Sequence, residues 1–173
     1  WDVWDYLSQP NLKIIGIPKG KKDLKFRKHQ LKALSKSIKN HEDALLNAFQ
    51  EDLGKNKVEA YATEIGFTLK NIKTARKELK NWAKKKQVNT PLYMFPTKSY
   101  IVKEPYGTVL IIGPFNYPFQ LLIEPLIGAI AAGNTVIIKP SEFTPHVSAV
   151  VKNIIEDCGY TNAWDEITYQ AKE

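Results

Sequence analysis

Within residues 107–142, "GTVLIIGPFNYPFQLLIEPLIGAIAAGNTVIIKPSE", three side chains have chemistry to offer: Asn116, Lys139 and Glu142. Asn116 lies between Pro114 and Pro118, which restrict the backbone and so fix where the amide points. A fixed NH2 donor is what a developing oxyanion needs. Asn is also a common turn residue that bonds its own backbone, and spacing by itself favours that plainer reading. Lys139 can present a cation, and Glu142, three residues on, can accept from a sugar diol, as acidic residues beyond a strand end do. A surface Lys and a Glu in the first turn of a helix, where it suits the dipole, explain the pair equally well. Cys158 has no neighbouring His and no helix N-terminus to lower its pKa, so it reads as an inert thiol. Ser141 lacks the G-x-S-x-G context of a hydrolase elbow.

The elements around these residues are legible from pattern. Residues 108–112 form a continuous β-branched and leucine run, expected of a strand buried on both faces of a parallel sheet. A helix follows over 118–132, with Pro118 near its first turn, Gly133 as its stop, and Pro125 inside it to kink it or leave one carbonyl unpaired. Residues 135–138 make a second buried strand. Residues 144–157 make a further helix with Thr144 as N-cap and Pro145 at the first helical position. Strand, helix, strand, helix is the start of a doubly wound, Rossmann-like fold, whose ligands bind beyond the carboxyl ends of the strands. The first loop lacks G-x-G-x-x-G, so the usual pyrophosphate cradle is not written there.

Upstream, Leu24, Leu31, Leu34, Ile38, Leu45, Phe49 and Leu53 fall on one helical stripe, and Gly54 ends it. A second helix buries Val58, Ala62, Ile65, Leu69, Ile72, Ala75, Leu79 and Trp82, and the short link makes the two an antiparallel hairpin. Residues 84–96, with Pro91 and Pro96, read as a surface connector. "KSYIVKEPYG" offers a short exposed strand with an edge free to pair. The fold class is therefore α/β: an N-terminal helical hairpin followed by the first βαβ of a Rossmann-like cofactor domain. Its expected division is 1–97 (helical segment and connector), 98–107 (a strand) and 108–173 (a partial dinucleotide-binding domain).

At 173 residues the chain suits one domain, or one and part of another. The net charge of +7 is concentrated in residues 19–39, where nine Lys or Arg face the single acid Asp23. That face fits a solvated helix surface better than a nucleic-acid site, since a basic patch alone supplies only non-specific attraction. One cysteine excludes an internal disulfide and a cysteine metal cluster, and suits a reducing, cytoplasmic setting. His29, His41 and His146 sit at no ligand spacing, so no metal is expected. No apolar run approaches the ~18 residues of a membrane span, and no integral membrane segment is expected.

Read together, "EPYGTVLIIGPFNYPFQLLIEPLIGAIAAGNTVIIKPSEFTP" resembles the aldehyde dehydrogenase superfamily, specifically the shorter-chain class of fatty-aldehyde and broad-specificity enzymes. The resemblance extends back through "FRKHQLKALSKSIKNHEDALLNAFQEDLGKNKVEAYATEIGF" and "ARKELKNWAKKKQVNTPL", and covers the N-terminal portion of such an enzyme. It implies an incomplete aldehyde dehydrogenase fold, with 98–107 a strand of an oligomerisation element and a homo-oligomer as the assembly. It implies further that Asn116 helps bind the oxyanion, that Lys139 and Glu142 contact the adenosine ribose of NAD or NADP, and that Ile112, Gly113, Pro114 and Phe115 line the cofactor and nicotinamide region. A Glu142 holding the ribose would repel a 2′-phosphate.

The implied reaction oxidises an aldehyde substrate to a carboxylic acid through a cysteine thiohemiacetal. The family's G-Q-x-C, E-L-G-G-K and F-T-G-S stretches do not occur in this sequence, and Cys158 does not match the nucleophile by context. The chain alone is therefore expected to be inactive. The other readings the sequence leaves are a non-catalytic interaction or oligomerisation module, and a basic nucleic-acid-binding helical domain.

Overall fold

The computed structural model describes residues 13–16, 23–159 and 161–162. Asp23 opens the first helix, α1 (Leu24–Asn40), by accepting the Phe26 N–H at 2.6 Å. The single stripe read over residues 22–53 is in fact two helices. At His41 (φ −105°, ψ 13°) the backbone leaves the helix and at once starts α2 (Glu42–Leu53). Periodicity does not reveal the break, because Leu31, Leu34 and Ile38 of α1 and Leu45 and Phe49 of α2 enter the same core. Gly54, at φ 63°, closes α2 in the left-handed conformation that glycine adopts without strain.

The next helix is a rod of three parts: α3 (Lys57–Ala60), a π-helical turn (Tyr61–Ile65) and α4 (Gly66–Trp82). The π turn corrects the predicted inner face. Val58 and Ala62 are exposed and Trp82 is partly so, while Ala60, Glu64, Ile65, Thr68, Ile72, Ala75 and Leu79 point inward. Spacings of four at 60, 64, 68 and 72 drift by about 40° per step on an ordinary α-helix, and a wider turn absorbs that drift.

The predicted connector contains a strand. β2 (Lys86–Val88) pairs antiparallel with β3 (Ser99–Ile101), Gln87 opposite Tyr100, so the exposed strand finds its partner in the chain itself. The arm's tip, a 3₁₀ turn at Leu92–Met94, exposes Leu92, Tyr93 and Phe95.

Then come β4 (Thr108–Ile112), α5 (Gln120–Ala132), β5 (Thr135–Lys139) and α6 (Pro145–Asp157). β4 and β5 are parallel, with Leu110 beside Ile137, which establishes the βαβ unit. The sequence pattern predicts two strands in this sheet. A further strand, β1 (Lys13–Gly16), adds antiparallel to β5, and β6 (Thr161–Asn162) adds antiparallel to β1, giving the order β4-β5-β1-β6.

α5 runs through Pro125, which lies on its exposed side. Its other side, Leu122, Ile123, Leu126 and Ile130, meets Ile111, Val136 and Ile138 of the sheet and the helices α1 and α4 in one continuous core. β4 is buried on that face only. Leu110 and Ile112 are half exposed, because among the described residues no element covers the opposite face.

Candidate functional site

The two loops that follow β4 and β5 lie side by side. Gly113 N–H donates to Lys139 O at 2.9 Å, extending the strand ladder by one rung. The Phe115 and Phe143 rings then meet edge to face, 6.1 Å between centroids. Gly113 is required by a close approach: a Cβ there would stand 2.8 Å from Leu122 Cδ1, in the helix that returns over the strand.

Asn116 sits at the exposed crest of the first loop. Its side-chain amide does not bond its own turn and has no hydrogen-bond partner among the described residues. The backbone of Asn116 is what the protein holds: its carbonyl accepts from Lys55 Nζ at 2.9 Å. Lys55 also stands over the Tyr117 ring, 4.1 Å from the centroid, and forms an ion pair with Glu64. Glu64 is fully buried, and its other oxygen accepts the N–H groups of Phe119 and Gln120 at 3.0 and 3.2 Å. α5 is therefore capped by a carboxylate from another helix.

Sequence reading missed Lys55 and Glu64. The available signal was the run of four-residue spacings through position 64, which places a charge on an inward face.

In the second loop Lys139 Nζ pairs with Glu142 Oε2 at 2.9 Å. The ammonium is nearly buried, whereas the carboxylate is mostly exposed, and the Lys139 hydrogen bond holds the Glu142 carboxyl below its ordinary pKa. The helix that follows corrects a second expectation. Thr144 makes no side-chain cap. Its place is taken by Asp52, which accepts the N–H groups of His146 and Val147 at 3.2 and 2.8 Å and the His146 imidazole at 2.7 Å.

This arrangement bears directly on a dinucleotide. The N-termini of α5 and α6, the usual seats for pyrophosphate, already hold carboxylates, so neither can cradle a phosphate. What remains exposed beside these helix ends is one acceptor, the Glu142 carboxylate, and the apolar edges of Ile112, Pro114 and Phe115.

Cys158 lies at the far end of α6, about 20 Å along the helix from this loop. It is buried, and burial pushes its thiol up to about 12, which disfavours the thiolate that nucleophilic attack needs. Among the described residues no group of three or more His, Cys, Asp or Glu could hold a metal.

A parallel βαβ whose strand-end loops are presented against a helical layer is the framework of a doubly wound α/β protein. The aldehyde dehydrogenase family model matches residues 20–163, and the chain belongs to that family. It is 74% identical over 136 residues to the 4,4′-diaponeurosporen-aldehyde dehydrogenase of Staphylococcus aureus, a stretch covering 79% of this chain and 30% of that enzyme. The solved substrate-bound AldH of Staphylococcus aureus superposes with TM-score 0.79 at 70% identity, over 82% of this chain and 32% of that one. The NADP complex of glyceraldehyde-3-phosphate dehydrogenase GapN from Methanocaldococcus jannaschii aligns with TM-score 0.69 at 26% identity, over 79% of this chain and 28% of that one. The chain thus spans about 30% of the length of the relatives it matches.

Proposed function

We propose that this chain supplies the oxyanion-binding corner and part of the cofactor floor of an NAD(P)-dependent aldehyde dehydrogenase that oxidises an aldehyde to a carboxylic acid. The observation that carries the reading is the state of Asn116: its carbonyl is tethered, while its amide is exposed and has no hydrogen-bond partner among the described residues. As a nucleophile adds to an aldehyde carbon, the carbonyl oxygen gains charge, and Asn116 Nδ2–H donates to it. Such a donor acts best when it is already in place, because no reorganisation is then needed during the reaction.

Glu142, kept ionised by Lys139, would accept from the adenosine ribose of a bound dinucleotide, and Ile112, Gly113, Pro114 and Phe115 would line the site on its nicotinamide side. When bound, the dinucleotide supplies the hydride acceptor. The attacking thiolate comes from outside these 173 residues, since Cys158 is buried and its pKa is raised to about 12. The exposed Ile112, Phe115 and Tyr117 suit an apolar aldehyde, and 4,4′-diaponeurosporen-aldehyde, named for the staphylococcal relative, is the first to assay. The proposed division keeps residues 98–107 as part of an oligomerisation arm, with the exposed Leu92, Tyr93 and Phe95 as its contact and a second copy as its partner. The lone cysteine supports a cytoplasmic setting.

The test is a complete enzyme in which residues 23–157 replace the matching segment of the staphylococcal relative. Asn116→Ala should lower kcat about 100- to 1,000-fold, and an unchanged kcat would sink the reading. The 173-residue chain alone should show no NAD(P)-dependent aldehyde oxidation.

A further inference from the structure

One ammonium group holds the corner that presents Asn116. Lys55 follows the Gly54 cap of α2, and its Nζ reaches three things: the Glu64 carboxylate, the Asn116 carbonyl at 2.9 Å, and the face of the Tyr117 ring at 4.1 Å. Glu64 then fixes the next two residues of the path, through the N–H groups of Phe119 and Gln120. Residues 116–120 are thereby tied on both sides of Pro118 to a single ion pair delivered from the helical layer. The Asn116 amide takes no part in any of these bonds.

A buried ion pair is weak evidence for stability, because apolar residues of the same volume commonly do as well or better. What this pair adds is direction. Two charged groups with several partners each permit one arrangement of the loop, whereas apolar packing would permit several. Glu64 also sits within the π turn at Tyr61–Ile65, a rare distortion that turns its carboxylate inward, and such turns are frequent at functional sites.

We propose that the Lys55–Glu64 pair is the positioning device for the Asn116 amide, Lys55 through the Asn116 carbonyl and Glu64 through Lys55 and the start of α5. The proposal rests on the reading of Asn116 as an oxyanion donor, and two independent measurements separate the two ideas.

The first measurement uses the 173-residue chain and NMR. Lys55→Met leaves Glu64 buried without its cation and can unfold the protein, so the informative variant is Lys55→Met with Glu64→Gln. That pair is neutral, and its amide oxygen still caps Phe119 and Gln120. The heteronuclear NOE of the Asn116 backbone amide should fall to loop values, while the Phe119 and Gln120 amides stay protected from exchange. Lys55→Arg, which retains the cation, should preserve the rigid corner. An unchanged Asn116 NOE in the folded double variant overturns the proposal.

The second measurement uses the complete enzyme grafted with residues 23–157. There the double variant should lower kcat about 10- to 100-fold with the cofactor KM unchanged, and Lys55→Arg should recover most of the loss. If Asn116→Ala lowers kcat and the double variant does not, positioning by Lys55 and Glu64 is wrong. If the double variant loosens the corner and Asn116→Ala leaves kcat intact, the oxyanion reading is wrong while the tether stands.

Discussion

Asp52 Oδ2 accepts the backbone N–H of Val147 at 2.8 Å, joining the last turn of α2 to the first turn of α6 across 95 residues of sequence. Glu64 does the same for α5 through Phe119 and Gln120. The two helices of the βαβ segment, α5 and α6, are therefore capped from the helical layer rather than by their own N-cap residues. This couples the two layers by directional bonds as well as by their shared apolar core. It also uses up the positive helix ends, so that an anionic ligand at the strand ends has to be held by side chains and other loops.

Loss of the Asp52 cap should be felt in stability and in its pH dependence. Asp52 is almost wholly buried and accepts three bonds, so Asp52→Ala should cost about 2 kcal/mol in urea unfolding, the upper range for a cap. The hydrogen bond to Asp52 raises the His146 pKa above 6.5, and the charge of Glu51 adds to it. A raised folded-state pKa contributes stability that is complete below 6.5 and lost as the pH climbs through the folded value. The native chain should thus become less stable as pH rises from 6.5 through that window, and Asp52→Asn should flatten the slope. An Asp52→Asn variant with the same slope would disprove the coupling.

Glu124 should be improvable. It is partly buried between α5 and α4, where Asn71 Nδ2 donates to Oε2 at 2.9 Å and Oε1 has no partner among the described residues. Burial raises its carboxyl above 4.5, so the folded state favours the protonated acid more than the unfolded chain does. Stability from this group is therefore present below 4.5 and falls as pH rises through the folded value. Glu124→Gln keeps the Asn71 bond through its amide oxygen and removes the charge. Its melting temperature should match the native protein at pH 4 and exceed it at pH 7; equal melting temperatures at pH 7 would count against the burial argument.

Cys158 should be slow to label in the folded chain. Its pKa of about 12, raised chiefly by burial, leaves a minute thiolate fraction at pH 8. Reaction with a disulfide reagent should be at least about 100-fold slower than in urea. Labelling at equal rates in both states would show the thiol to be accessible, and would reopen it as a nucleophile.

Much of this arrangement is visible in the sequence because it depends on local pattern. The runs at 108–112 and 135–138 became β4 and β5, and Gly54 and Gly133 ended α2 and α5 as expected. At Asn116 the pattern favours an amide that bonds its own turn, whereas the structure holds only the backbone carbonyl, through Lys55. What pattern could not carry were bonds between distant residues. Glu64 is placed by a π turn that ordinary periodicity does not contain, and Asp52 meets α6 only after the layers close. The break at His41 left no trace, because both helices bury the same apolar stripe. The half-exposed face of β4 could not be foreseen either, since burial on both faces is a property of the layers around a strand rather than of its residues.

Gly113→Ala tests whether the strand end and the corner form one unit. The added Cβ would lie 2.8 Å from Leu122 Cδ1, closer than atoms tolerate, and Leu122 is fully buried in the core with little room to turn aside. The strain should cost about 1–3 kcal/mol, the usual range for overpacking. Part of it can be relieved by lifting the loop, which would break the 2.9 Å bond from Gly113 to Lys139 O and pull Asn116 from Lys55. Amide exchange of Gly113 should therefore quicken, and the Asn116 NOE should fall even where Lys55 and Glu64 are intact. If the variant is destabilised while the Asn116 amide stays as rigid as before, the corner is held by the ion pair alone and the strand end does not govern it.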